Sequence, residues 1–220
     1  MNRFAWDLRY DDPIQIPGAF YSGSGPKGPL APPGDYQVKL TVGSKSQTAP
    51  LHLAIDPRTK GQEAGLQKQL TLTMQVTDRI SQLHQAVNEI RDLRSQIQNL
   101  HKRFGDDQRL KPALSAADDL EHKISEVEQK LIQVNMKGSE ANLAFPDMLN
   151  ERFDTFSHVI EYSDKEPTTP QLDVFQMLST QLDEQLKKWT QLKNEDLPKV
   201  SDLIKQANLP ALIITQPKKT

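Results

Sequence analysis

QEAGLQKQLTLTMQVTDRISQLHQAVNEIRDLRSQIQNLHKRF, residues 62–104, decides how this chain folds. The stretch holds no proline, and no glycine after Gly65. Leu66, Leu70, Val76, Ile80, Leu83, Val87, Ile90, Leu93, Ile97, Leu100 and Phe104 recur along it, mostly at steps of three and four. That spacing predicts a single amphipathic helix with one apolar stripe. At its usual rise the helix would be roughly 60 Å long. Gly105 is placed to stop it.

The chain downstream repeats the pattern in shorter pieces. A second helix is expected from near Pro112, a residue suited to a first turn. Its stripe is Leu114, Ala117, Leu120, Ile124, Val127, Leu131 and Val134, and Gly138 ends it. Two such helices joined by a short connection predict an antiparallel helical hairpin. Pro146 opens a third helix, with Leu149, Phe153, Phe156 and Ile160 inward. A fourth runs from about Thr169 to Asn194 with Leu172, Phe175, Leu178, Leu182, Leu186, Trp189 and Leu192 inward. Pro198 starts a short fifth carrying Val200, Leu203 and Ile204, and Gln216 to Thr220 is a polar tail.

Upstream the composition changes. Residues 1–60 hold eight of the fifteen prolines, six of the ten glycines and six of the thirteen aromatics, which marks a domain boundary near residue 60. Phe4, Trp6, Leu8 and Tyr10 alternate with polar residues and predict a strand. Residues 11–34, rich in Pro and Gly, predict a long loop. Tyr36, Val38, Leu40 and Val42 predict a second strand, and Leu51, Leu53 and Ile55 a third, joined by a turn at Gly43-Ser44-Lys45. Three strands with one apolar face are marginal alone. Either the helices cover that face or strands are missing before it. The fold class is therefore α+β and mostly α. It comprises a partial Ig-like β-sandwich of about three strands at 1–60, then an antiparallel helical bundle with a long helical hairpin at 61–215.

Charge excludes little. Residues 1–60 carry a net charge of about +2 and residues 61–220 about −4, so neither part is built as a nucleic-acid surface. The absence of cysteine removes disulfides, thiolate metal sites and cysteine nucleophiles. Met1 to Asp12 has no apolar core of a signal peptide, and no apolar run approaches a membrane span.

No motif assembles a catalytic, cofactor or metal site. His52, His84, His101, His122 and His158 contain no helical i, i+4 pair and no HExxH. His84 and His101 lie about 100° apart around their helix. They read as surface or internally satisfied histidines. Asp11-Asp12, Asp106-Asp107 and Asp118-Asp119 are adjacent pairs, and adjacent helical residues do not face one cleft. Helix capping or plain solvation accounts for them. Gly23-Ser24-Gly25-Pro26-Lys27-Gly28 lacks the order of a phosphate loop. Trp6, Tyr10, Phe20 and Tyr21 could line a sugar-binding surface, but an inward tryptophan in a sandwich core explains Trp6 more simply.

Three sets of residues resemble a known family. Asn2-Arg3-Phe4-Ala5-Trp6-Asp7-Leu8-Arg9-Tyr10, with Pro32-Pro33-Gly34-Asp35-Tyr36-Gln37-Val38-Lys39-Leu40, resembles the closing half of a bacterial Ig-like module. Ile90-Arg91-Asp92-Leu93-Arg94 and Glu128-Gln129-Lys130-Leu131-Ile132-Gln133 are similar to the helical segment that follows this module in large bacterial proteins. Those proteins carry sortilin-like, neuraminidase-type-repeat β-propellers and are often labelled glycosyl hydrolases. Leu143-Ala144-Phe145-Pro146-Asp147-Met148-Leu149-Asn150 continues the likeness. The resemblance implies upstream propellers that hold any active site, earlier Ig-like strands before Asn2, and an extracytoplasmic location. It implies no cofactor and no catalytic residue in this chain. The expectation is a non-catalytic C-terminal structural or interaction module. Its partners would be the upstream propellers, or a protein or second copy bound through the helical hairpin or an open sheet edge. The competing reading is part of a glycoside hydrolase acting on polysaccharide, with its active site elsewhere.

Overall fold

The computed structural model describes residues 3–21 and 23–208. The long helix forms as the periodicity requires: α1 runs Glu63–Phe104, 42 residues, or about 63 Å. It is the spine of the molecule. Val76, Ile80, Leu83, Val87 and Ile90 on its inner face are fully enclosed. α2, Lys111–Leu131, folds back antiparallel on it, with Pro112 in its first turn. Leu120, Ile124 and Val127 of α2 complete the seam.

Two more helices close the core. α3, Leu149–Glu161, also runs against α1, so that Asn150 meets His84 and the Ile160 carbonyl meets Gln69. α4, Thr169–Gln191, runs with α1: Arg79 bonds the Ser179 carbonyl and Glu89 bonds Trp189. Thr168 and Gln171 cap the start of α4 reciprocally. At its end the backbone widens into a π turn, Leu192–Asp196, and continues as α5, Leu197–Gln206. Pro198 has no N–H to continue the α pattern, which explains the widening. α5 lies on α2, and Leu203 packs with Phe104, Leu110 and Ala113 at the tip of the α1–α2 hairpin.

α2 stops seven residues before Gly138. Ile132 is extended at φ −140 and ψ 149, and Val134 faces outward. A tertiary contact takes over at this point, because the Gln133 N–H is held by the Glu151 carboxylate at the start of α3. The polar tail at Gln216 to Thr220 and the family-like residue Asn2 lie outside the described residues.

The β part is smaller than expected. β1, Gly34–Val42, and β2, Lys45–Leu53, form an antiparallel hairpin. Among the described residues it is the whole of its sheet. The turn is the two residues Gly43-Ser44, with Gly43 at φ +59, a conformation glycine adopts without strain. The three-strand Ig-like sandwich is therefore corrected to a two-stranded hairpin. The run Phe4 to Tyr10 does not extend as a strand. Leu8 turns to φ +63, the Asp7 carboxylate accepts from the Arg9 N–H at 3.1 Å, and Trp6 Nε1 donates to the Arg9 carbonyl at 2.8 Å. This local turn breaks the pleat, leaving one bridge between Arg9 and Leu30. Trp6 sits edge-on to Tyr36, centroids 5.6 Å apart, at the base of the hairpin.

The loop that follows is a strap across the helices. Ile16 enters the main core, Asn88 bonds the Gln15 carbonyl, and Ser81 accepts from the Ile14 N–H. Arg9 reaches Glu161 at 2.9 Å, and the same carboxylate accepts from the Leu30 N–H. Gly28 is required where the two limbs of the strap cross, since a Cβ there would lie 2.0 Å from the Tyr10 carbonyl oxygen.

Candidate functional site

The structure disperses the residues the sequence singles out. His52 pairs with Asp35 at 2.7 Å across the hairpin, and His101 lies 2.7 Å from Asp118. His122 is 3.5 Å from Glu126, and His158 is 3.6 Å from Asp154. Asp12 binds the Gly28 N–H and Lys27 within the strap, and Asp107 caps the turn that precedes α2. Among the described residues, no three His, Asp or Glu side chains group as metal ligands, and no helix is long and apolar enough to cross a membrane.

One constellation escapes the sequence reading. His84, buried on the α1 stripe, bonds the Ile14 carbonyl of the strap through Nδ1 and lies 2.7 Å from Asn150 Oδ1 through Nε2. Tyr21 Oη is 3.4 Å from the same nitrogen. Asn150 in turn donates to Glu151, whose carboxylate also accepts from the Met148 and Gln133 N–H groups. Burial lowers the His84 pKa, although the Ile14 and Asn150 oxygens pull it back. Burial pushes Tyr21 up to about 12, with Asp154 and Glu151 adding to the rise and Asn150 opposing it. Asp154, buried beside them, is pushed up to about 6 by desolvation, and His158 opposes the shift. The available signal was a polar residue placed between Ile80, Leu83 and Val87 on an otherwise apolar face.

Near it lies a second polar junction. Glu128 receives Arg91 at 2.8 Å and Arg94 at 2.6 Å. The three segments quoted above for their resemblance meet here: Arg91 and Arg94 of residues 90–94 hold Glu128 of residues 128–133, and the Gln133 side chain donates to the Pro146 carbonyl of residues 143–150. These side chains fasten helix to helix and strap to helix. Clefts lie elsewhere, among them one of about 240 Å³ between Pro112, Ala113 and Leu203. One of about 390 Å³ between α3 and α4 is lined mainly by Phe156, Val159, Val174 and Leu178. One of about 200 Å³ lies under the base of the hairpin, among Leu30, Leu53, Leu66, Leu70 and Glu161.

The surface that stands out is the hairpin. Tyr36, Val38, Leu40 and Val42 share a face with Leu51, Ala49, Gln47 and Lys45, so the β1 side of that face is apolar and the β2 side mixed. Val38, Leu40 and Val42 are 51, 65 and 70% exposed. Exposed apolar residues are thereby grouped on one β element rather than scattered singly. Comparison of the chain with family models, curated proteins and solved structures returned no match.

Proposed function

We propose that this chain is a non-catalytic structural and docking module, of the kind that terminates a larger exported propeller-type protein. The helical body is a strut, and the hairpin at its end is an open half-sheet completed by strands of a partner polypeptide. One observation carries this: a regular hairpin of two nine-residue strands leaves the apolar side chains Val38, Leu40 and Val42 of β1 in water. An isolated two-stranded hairpin is marginal in water. A sequence that keeps alternating apolar residues there has a use for them in contact with something else. The likeness of residues 32–40 to the closing half of an Ig-like module supports β-strands as the completing structure.

The test is amide exchange in residues 36–53. These amides exchange fast in the dilute, monomeric chain and slowly when the chain is expressed in frame with the coding sequence upstream of Met1. Fast exchange in both would defeat the docking role. Turnover of any member of a glycan panel by the chain alone would defeat the non-catalytic reading.

A further inference from the structure

The two edges of the hairpin are not equivalent. The turn has two residues, so Val42 and Lys45 form a hydrogen-bonded pair and bonded pairs alternate from there. Gly34, Tyr36, Val38, Leu40 and Val42 therefore bond inward to β2. Asp35, Gln37, Lys39 and Thr41 turn their N–H and C=O groups outward. On β2 the outward residues are Ser46, Thr48, Pro50 and His52. Pro50 stands opposite Gln37 and has no N–H, so the outer ladder of β2 is broken at its middle. The edge of β1 carries no such break. A proline protects β2 from strand addition, and β1 is left open to it.

Charge then selects a partner. Asp35 and Lys39 lie on one face of β1, two residues either side of Gln37. Consider β1 of a second copy running antiparallel along the edge, with the two-fold axis at Gln37. Each Asp35 then faces the other copy's Lys39, twice over. Tyr36 faces Val38 of the other copy, so the apolar face continues across the junction. A register centred on Lys39 sets lysine against lysine, and one centred on Asp35 sets aspartate against aspartate. A register centred on Val38 pairs Lys39 with Gln37 and gains no ion pair. We infer that two copies of this chain associate through the outer edges of β1, antiparallel and centred on Gln37, into a four-stranded sheet. This rests on the proposal that the hairpin is the docking element.

Sedimentation of the full chain over a concentration series tests it. The expected result is a concentration-dependent dimer. Gln37→Pro removes an outward N–H without touching the β1–β2 ladder, so it weakens the dimer at least about tenfold. Helical signal and thermal midpoint stay unchanged. Asp35→Lys and Lys39→Asp each weaken the dimer, and the double swap D35K/K39D restores it. The swaps stand independently if Gln37→Pro disturbs the hairpin. A monomer at every concentration, an unchanged Gln37→Pro dimer, or failure of the double swap to restore association overturns the inference. Binding of a foreign strand by a chain that stays monomeric overturns it too. Amide exchange separates the two failures. A monomer whose residues 36–42 exchange fast loses only the second-copy assignment. A monomer whose residues 36–42 are protected loses the docking role as well.

Discussion

Replacing Glu128 by alanine probes how the α1–α2 hairpin is fastened. The Glu128 side chain is 4% exposed and sits between two guanidinium groups, Arg94 at 22% and Arg91 at 35% exposure. Removing one partner of a fully buried ion pair costs about 3–5 kcal/mol, mostly because the remaining charge is left uncompensated. Here the arginines keep a fifth to a third of their surface in water and can rehydrate in part. The expected loss is therefore about 2–3 kcal/mol. For a chain of this size each kcal/mol shifts the thermal midpoint by about 2–4 °C, so Glu128→Ala should melt roughly 5–10 °C lower. Urea unfolding followed by far-ultraviolet circular dichroism should give the same loss at unchanged slope. Glu128→Gln keeps the size and one acceptor and should lose about half as much. A triple replacement of Arg91, Arg94 and Glu128 by methionine or leucine should recover most of the stability, because no charge is then stranded. If Glu128→Ala unfolds within about 0.5 kcal/mol of the parent, the junction is surface-like and the apolar seam alone holds the hairpin.

Two further perturbations follow from the strap and the residues beneath it. Asp154 is held near 6 against an ordinary value of 3.8. A raised carboxyl pKa favours the folded state while the group is protonated. That contribution is complete below about pH 3.8 and is lost as pH rises through about 6, at a total of about 3 kcal/mol. Asp154→Asn should therefore stabilise the protein at pH 8, with the gain closing toward pH 4; denaturation midpoints across that range with no such closing gap would refute the assignment. Ile16 is the strap residue that enters the main core. Ile16→Ala should cost about 2 kcal/mol, at the low end for such truncations because a strap can follow the loss. Hydrogen exchange should accelerate in residues 14–21 well before Val76 to Ile90. A uniform acceleration would mean that the strap and the helical core unfold as one unit.

Local pattern was enough to specify the helices. Steps of three and four along 62–104 leave one face of a helix apolar, and burial of that face follows whatever packs on it. The same holds for the inward face of α3, for that of α4 apart from Leu172, which is exposed, and for the prolines in the first turns of α2 and α5. Residues 36–53 were legible as a hairpin because alternation and Gly43 agree. The failures share a cause. Phe4 to Tyr10 alternates as well as β1 does, yet alternation only permits a strand, and a neighbouring strand has to supply the ladder. In this molecule the chain instead turns at Leu8 and lies on the helices. The end of α2 was misplaced because Glu151, eighteen residues on, captures the Gln133 N–H.

The sequence by itself determined the helical bundle, the hairpin and the absence of cysteine chemistry, because these depend on side-chain order along short stretches. Tertiary structure alone decided three things. It set His84 between Ile14 and Asn150, and it brought Arg91 and Arg94 to Glu128 across 34 to 37 residues. It also left the apolar face of β1 uncovered. Each depends on which distant segments meet, and a one-dimensional periodicity carries no information on that.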